Sequence, residues 1–246
     1  MIDNSFCIKN KVILITGASS GIGKQVAIDL SKMGAKVIII GRDKARTEET
    51  YNLLKNSDEH KFYCLDLTDG KKQDELVDQL PLLDGIVHSA AITYHLPAKF
   101  ATRRDIDNVF SINFNAIVEL NSKLLRMKRV GKPASIIHFT SMASKYPYYG
   151  GSLYCASKTA LEMYTRCMAI ELADRQIRVN CVQPSFVNTP MVDTATSNIG
   201  YDVIGSSKRL MPLGVVDIED ISKTVSFLIS DASKWISGAV IPLGGG

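Results

Sequence analysis

Short apolar runs alternate with longer amphipathic segments along the whole chain. Residues 12–16, 36–40, 61–65, 85–88, 135–139, 177–182 and 239–243 read as strands. Most are continuous apolar stretches without polar alternation, as strands buried on both faces of a parallel sheet require. Helical periodicity fills the gaps at 22–33, 44–55, 71–79, 103–127, 152–173 and 217–229. This rhythm predicts an α/β fold, a doubly wound parallel sheet of about seven strands with helices on both faces. No linker, repeat or low-complexity tract divides it, so residues 1–246 are expected to form one domain. One segment breaks the rhythm. From Pro190 to Val216, glycines, serines and Pro212 interrupt any sustained period. A substrate lid is expected at about 190–216.

Composition narrows the class. At 246 residues, 46% hydrophobic and 22% charged, the chain can bury a large core without disulfides or metals. A net charge of +4 is too small and scattered to argue for nucleic acid. The four histidines lie far apart in sequence and none pairs at metal-ligand spacing, so no metal is expected. Cys7, Cys64, Cys155, Cys167 and Cys181 form no CxxC pair, which predicts buried thiols in a reducing compartment. No apolar run approaches membrane-spanning length and no signal-peptide pattern opens the chain, so a cytoplasmic protein is expected.

Two motifs carry chemistry. Thr16 to Gly23 joins the first strand to the first helix through Gly17, Ser19, Ser20, Gly21, Ile22 and Gly23. Glycines there permit a tight turn and close approach of a pyrophosphate, and the helix start offers free N–H groups. A glycine-rich turn without a ligand is the alternative. The context, after a strand and opening a βαβ series, favours a Rossmann-type dinucleotide site. The second strand ends at Gly41 and Arg42 with no acidic residue to hold ribose hydroxyls, so NADP(H) is expected over NAD(H). Asp43 complicates this by offering Arg42 a counter-charge.

The second motif is Tyr154 with Lys158, one helical turn apart, preceded by Ser141 thirteen residues upstream. The ammonium would stabilise the tyrosinate and make the phenol a better acid near neutral pH. A second pair, Tyr51 with Lys55, has no serine at that spacing and reads as a surface pair.

Together these residues resemble the short-chain dehydrogenase/reductase family in its single-domain form, over nearly the whole chain. The segment Arg178 to Met191 and the terminal run from Ile236 also resemble family stretches. The resemblance implies hydride transfer between a nicotinamide and a carbonyl carbon. In it Tyr154 is the general acid, Lys158 holds the tyrosinate and ribose, Ser141 binds the carbonyl oxygen, and Asn113 anchors a water that leads to Lys158. It also implies cofactor contacts from Asp66 and Leu67 after the third strand, Ser89 and Ala90 after the fourth, and Val187 and Thr189 beside the nicotinamide. Helix capping by Asp66 or Asp69 is an open alternative. Two departures stand out. His88, Ser89, Ala90 and Ala91 occupy the family's Asn-Asn-Ala-Gly, and Ala91 lacks glycine's freedom of φ, so altered local geometry is expected. Ser185 stands where Pro-Gly is usual, which would stiffen the entry to the lid.

The implied function is NADPH-dependent reduction of a carbonyl to a secondary alcohol, with a 3-oxoacyl thioester as one candidate substrate. Lys128, Arg129, Lys132 and Arg175 would form a landing patch for an acidic acyl carrier protein if they share a face; a solvated basic surface is the alternative. Oxidation of a steroid- or sugar-type alcohol uses the same residues, and a non-catalytic dinucleotide sensor is the alternative of another class. Substrate contacts are expected from Tyr94, His95, the 142–151 loop with Tyr146, Tyr148 and Tyr149, and Tyr201. On the Tyr154 helix, Ala160, Leu161, Met163, Tyr164, Cys167, Met168, Ile170 and Leu172 span about 200° of the wheel, roughly twice the arc that one sheet covers. That predicts a homo-oligomer, a dimer of dimers in keeping with the family.

Overall fold

The computed structural model describes residues 4–187 and 213–244. Thr189, Tyr201 and most of the expected lid lie outside the described residues. Seven parallel strands form one sheet in the order β3-β2-β1-β4-β5-β6-β7. They are β1 (Val12–Thr16), β2 (Lys36–Gly41), β3 (Lys61–Cys64), β4 (Leu83–His88), β5 (Val130–Phe139), β6 (Ile177–Pro184) and β7 (Val240–Leu243). The helices are α1 (Gly21–Lys32), α2 (Lys44–Asn52), α3 (Gly70–Gln79), α4 (Arg103–Phe110), α5 (Ala116–Arg126), α6 (Ser152–Glu171) and α7 (Ile218–Ile229). The expected doubly wound architecture is present.

The pleat sorts the continuous apolar runs onto two faces. Ile13, Ile15, Val37, Ile39, Val87 and Ile137 pack with Val26 and Leu30 of α1 and Val225 and Leu228 of α7. Leu14, Ile38, Ile40, Ile86 and Ile136 pack with Leu76 of α3, Leu120 and Leu124 of α5 and Met168 of α6.

Three local expectations are corrected. The helix expected at 103–127 is split by a π turn at Ser111–Asn115. Buried Asn113 explains it: its Oδ1 accepts from the Ile92 N–H at 2.8 Å and its Nδ2 donates to the Ile92 carbonyl at 3.0 Å, holding that turn against the neighbouring loop. Tyr51 and Lys55 are no helical pair, because α2 ends at Asn52 and Tyr51 packs half-buried on Phe62, with ring centres 5.1 Å apart. Of the five thiols, Cys155 and Cys181 are buried but Cys7, Cys64 and Cys167 are exposed.

Register creates a polar layer that sequence distance conceals. Thr16 pairs with His88, His88 with His138, and His138 with Cys181 across β1, β4, β5 and β6. Asn121 of α5 bridges the imidazoles, 2.9 Å from His88 Nε2 and 3.2 Å from His138 Nε2. Its carboxamide offers one acceptor and one donor here, which assigns a proton to His88 Nε2 and a lone pair to His138 Nε2. His138 Nδ1 then donates to Thr165 Oγ1 at 2.7 Å, and the Cys181 thiol donates to the same oxygen at 3.1 Å. With Nε2 accepting and Nδ1 donating, the His138 ring is neutral; His88 Nδ1 is buried without a partner among the described residues, so a proton there would find no acceptor. Burial lowers the His88 pKa to about 4, with the Asn121 contact opposing it. Burial, then His88, then Lys158 push His138 well down.

A depressed histidine pKa costs stability as acid is added, because the unfolded chain takes up the proton that the folded chain refuses. Stability is therefore complete above pH 6.5 and declines toward pH 4. At pH 5 the His88 share of the loss is about 2 kcal/mol. Urea unfolding at pH 7.5 and pH 5 should show this loss, and His88→Asn should reduce it by that amount. An unchanged pH response in His88→Asn would refute the assignment.

Candidate active site

The strand order reverses between β1 and β4, and parallel strands open a crevice at such a point beyond their C-terminal ends. A cleft of about 410 Å³ lies there. Gly17, Ser19, Ser20, Gly21 and Ile22 form one wall. Gly17 has φ +69°, and a Cβ there would sit 2.6 Å from the Ala90 nitrogen, so no side chain fits. Gly23 does not line the cleft. Its own Cβ would lie 2.4 Å from the Gly17 carbonyl oxygen, so it serves the packing of α1 on the turn. Ser20 precedes α1 in extended conformation and gives it no side-chain cap. A backbone cradle closed to side chains, beside an uncapped helix start, fits a dinucleotide pyrophosphate.

The adenosine end of the cleft is lined by Gly41, Arg42, Asp43, Arg46, Leu65, Asp66, Leu67 and Thr68. Asp43 is the cap of α2 and accepts from the Arg46 N–H at 3.0 Å. Its second oxygen lies 3.8 Å from Arg46 Nε, so its charge answers Arg46 and the start of the helix rather than Arg42. Arg46 escaped the sequence reading. Its signal was a place in the first turn of α2, four residues after Arg42. Asp69, not Asp66, caps α3, accepting from Lys71 and Lys72. Asp66 accepts from the Thr68 N–H at 2.9 Å and hydroxyl at 2.8 Å; chiefly the backbone bond holds its carboxyl below the usual range.

Ser89, Ala90 and Ala91 line the opposite wall. The expected disturbance at Ala91 does not arise, because its φ is not positive; among described non-glycine residues only Asn10, Asn56, Lys128 and Gln176 have positive φ. The Ala90 N–H faces Thr16 Oγ1 at 3.3 Å, joining the two strand ends across the switch point. Val187 is buried in a bridge to Val216 and is not among the residues that line this cleft. Ser185 is tied to β7, its N–H donating to the Leu243 carbonyl at 2.8 Å.

Tyr154 and Lys158 occupy the first two turns of α6, with 9% and 2% of their surface exposed. Ser141 follows β5 and starts a one-turn 3-10 helix, accepting from the Ala143 N–H at 3.2 Å. The three are brought together: the Ser141 hydroxyl is near enough to the Tyr154 phenol to act on its pKa, and Lys158 Nζ lies 5.9 Å from the centre of the Tyr154 ring. Asn113 Nδ2 donates to Ser157 Oγ at 3.1 Å, linking the π turn to the same helix. The expected electrostatics are corrected. Lys158 Nζ donates to the Phe139 carbonyl at 2.9 Å, and burial dominates both groups. It raises the Tyr154 phenol, with the Ser141 hydroxyl opposing, and lowers the Lys158 ammonium to about 8. Tyr154 is therefore held protonated, as a proton donor must be, and Lys158 is poised to lose charge just above neutrality.

Two loops flank this group. His95 and Tyr148 stack with ring centres 6.0 Å apart and planes 3° from parallel. Gly150 and Gly151 admit them, since a Cβ at either position would come within 2.7 Å of His95 or Tyr148 ring atoms. Tyr94 hydrogen-bonds Asp105 in the first turn of α4 and fastens its loop there.

The basic cluster lies elsewhere. Lys128 and Arg129 precede β5, Lys132 lies near its start and Arg175 precedes β6, so all four sit at the N-terminal ends of these strands, opposite the end where the cleft opens. From Lys132 to Ser141 is about 30 Å of extended strand. Arg129 also commits its guanidinium to the Asp78 carbonyl at 2.8 Å. These residues are no landing patch beside this site. Among the described residues no three His, Cys, Asp or Glu side chains converge as metal ligands, and no helix is long and apolar enough to cross a membrane.

A family model described as short chain dehydrogenase matches residues 11–200. The L-xylulose reductase of Bos taurus is 31% identical over 235 residues, 95% of this chain and 94% of that one. A 3-oxoacyl-(acyl-carrier-protein) reductase of Rickettsia bellii is 33% identical over 97% of both chains. A solved structure of a short chain dehydrogenase/reductase family protein superposes with a TM-score of 0.86 at 29% identity, over 98% of both chains. With this cleft, and with Ser141, Tyr154 and Lys158 gathered beside it, the chain belongs to the short-chain dehydrogenase/reductase family, NAD(P)-dependent oxidoreductases acting on CH–OH and C=O groups.

Proposed function

We propose that this enzyme reduces a small ketone to a secondary alcohol with NADPH. The carrying observation is the convergence of Tyr154, Ser141 and Lys158 at the C-terminal end of β5, the end of the sheet at which the glycine-lined cleft opens. The nicotinamide cofactor, when bound, supplies the hydride. Ser141 orients the carbonyl oxygen and stabilises the charge that builds on it. Tyr154 gives its proton to that oxygen. Lys158 holds the ribose and offsets the charge left on the phenolate. Asn113 fixes the π turn and the Ile92 backbone beside them, where a water would carry the replacement proton.

Arg42 and Arg46 support the phosphorylated cofactor, since both line the adenosine end and a 2′-phosphate accepts charge-assisted bonds from guanidinium groups. Val187 and Thr189 belong to the nicotinamide side in this reading. The aromatic walls His95 and Tyr148 suit a small uncharged or hydroxylated carbonyl. The relatives named above act on L-xylulose and on 3-oxoacyl groups, so a ketose and an acyl thioester are the two substrate classes to separate. Three exposed thiols suit a reducing compartment such as the cytoplasm. On α6, Met163 and Ile170 are 56% and 79% exposed beside exposed Cys167, while Leu161 and Met168 are buried. A second copy of this chain is the proposed cover.

NADPH oxidation against a panel of L-xylulose, acetoacetyl thioester and simple ketones should show turnover of at least one, and Tyr154→Phe should lower kcat at least 100-fold. Full activity in that variant would reject the mechanism. Arg42→Ala and Arg46→Ala should each weaken NADPH about tenfold in fluorescence titration and leave NADH nearly unchanged. Equal weakening of both cofactors would remove the phosphate reading. Light scattering at micromolar concentration should give a dimeric or tetrameric mass, and a monomer would exclude the α6 interface.

A further inference from the structure

A polar cluster stands behind Ser141, outside the groups that contact the reactants. Glu162 lies on α6 one turn beyond Lys158. Its Oε1 accepts the Ser144 hydroxyl, and it accepts Gln183 Nε2–H at 2.7 Å. Gln183 Nε2 also donates to Ser144 Oγ at 2.9 Å, closing a triangle of three side chains. Each vertex belongs to a different element: the helix of Tyr154 and Lys158, the turn after β5, and the end of β6. Gln183 is 4% exposed, so its amide has little water to replace these partners.

The triangle bears on Ser141 through one residue. Ser144 closes the 3-10 turn that Ser141 begins. Its N–H donates to the Ser141 carbonyl at 3.0 Å, and its hydroxyl lies 2.7 Å from the same oxygen. A serine hydroxyl has one proton to give. With Gln183 donating to it and the Glu162 oxygen beside it, the Ser144 side chain is fixed from two sides. The backbone carrying Ser141 is thereby fastened to the helix carrying Tyr154. Ser141 must stay within hydrogen-bond reach of both the Tyr154 hydroxyl and a carbonyl oxygen, and small displacements of such groups are expensive.

We infer that Glu162 is a positioning residue that acts through Ser144, braced by Gln183, to hold the Ser141 hydroxyl against Tyr154. The inference rests on the reading of Ser141 as the carbonyl-orienting residue. Two features of the triangle make it specific. Both contacts use one Glu162 oxygen as acceptor, so a role carried by them is kept by Glu162→Gln and lost in Glu162→Ala. The effect travels through the Ser144 hydroxyl, so it vanishes when that hydroxyl is gone.

The test uses the full-length enzyme, NADPH and the best ketone of the panel. Glu162→Ala and Ser144→Ala should each lower kcat roughly tenfold, with KM changed less than kcat and the NADPH Kd unchanged. Glu162→Gln should restore kcat to within about twofold of wild type. Glu162→Ala added to Ser144→Ala should cost nothing further, because the two act as one unit. Should Glu162→Ala fail to fold, Glu162→Met, which keeps the side-chain length but offers no oxygen to the two donors, takes its place in the same comparison. Equal losses in Glu162→Gln and Glu162→Ala would overturn the inference in favour of a charge acting on Lys158. Wild-type kcat in Ser144→Ala, or additive losses in the double variant, would also overturn it. Ser141→Ala separates the layers: its full activity would reject the role of Ser141, whereas its collapse beside a wild-type-like Ser144→Ala would reject only the positioning.

Discussion

The close approach of the Gly17 backbone to the end of β4 is the constraint on which the site depends. A methyl group at Gly17 would fall 2.6 Å from the Ala90 nitrogen. The left-handed φ there lets the chain turn directly out of β1 into α1. Because β1 and β4 lie where the strand order reverses, the same contact sets the floor of the cleft. Ser89, Ala90 and Ala91 then form the facing wall, and Ile92 is carried to Asn113. One residue without a side chain therefore governs the cleft, the loop that follows β4 and, through Asn113, the approach to α6.

The second organising problem is the burial of polar groups. The fold sinks Lys158, Tyr154, Asn113, His88 and His138 into a layer where water is scarce. Each such group costs free energy unless it finds a partner. The Phe139 carbonyl receives Lys158, the Ile92 backbone receives Asn113, and Asn121 divides its amide between two imidazoles. This satisfaction shapes the chemistry. Burial keeps the phenol protonated and brings the ammonium near its titration point. The two histidines stay neutral beneath them, so Lys158 is the cation nearest the phenol in this layer.

Residues that sequence could not join are joined by register and by helix packing. His88 and His138 are fifty residues apart yet are direct neighbours on adjacent strands. Glu162, Ser144 and Gln183 meet because α6 crosses the ends of β5 and β6. The basic residues near position 130 and at 175 do come together in the fold, at the N-terminal ends of β5 and β6 and away from the cleft. Local spacing could not tell one end of a strand from the other as a location for a partner surface.

The sequence by itself determined the βα rhythm, the glycine turn and the order of Ser141, Tyr154 and Lys158. Each is a short-range pattern: apolar runs mark buried strands, glycine marks a conformation other residues avoid, and a four-residue spacing marks one helix face. Tertiary structure decided what those groups experience. Whether Lys158 meets the phenol or a carbonyl, whether Asp43 answers Arg42 or Arg46, and whether Ala91 needs a glycine's backbone depend on distances across elements. Desolvation, too, is a property of the packed whole. It sets the protonation of Tyr154 and Lys158, because the dielectric around a group is made by neighbours distant in the chain.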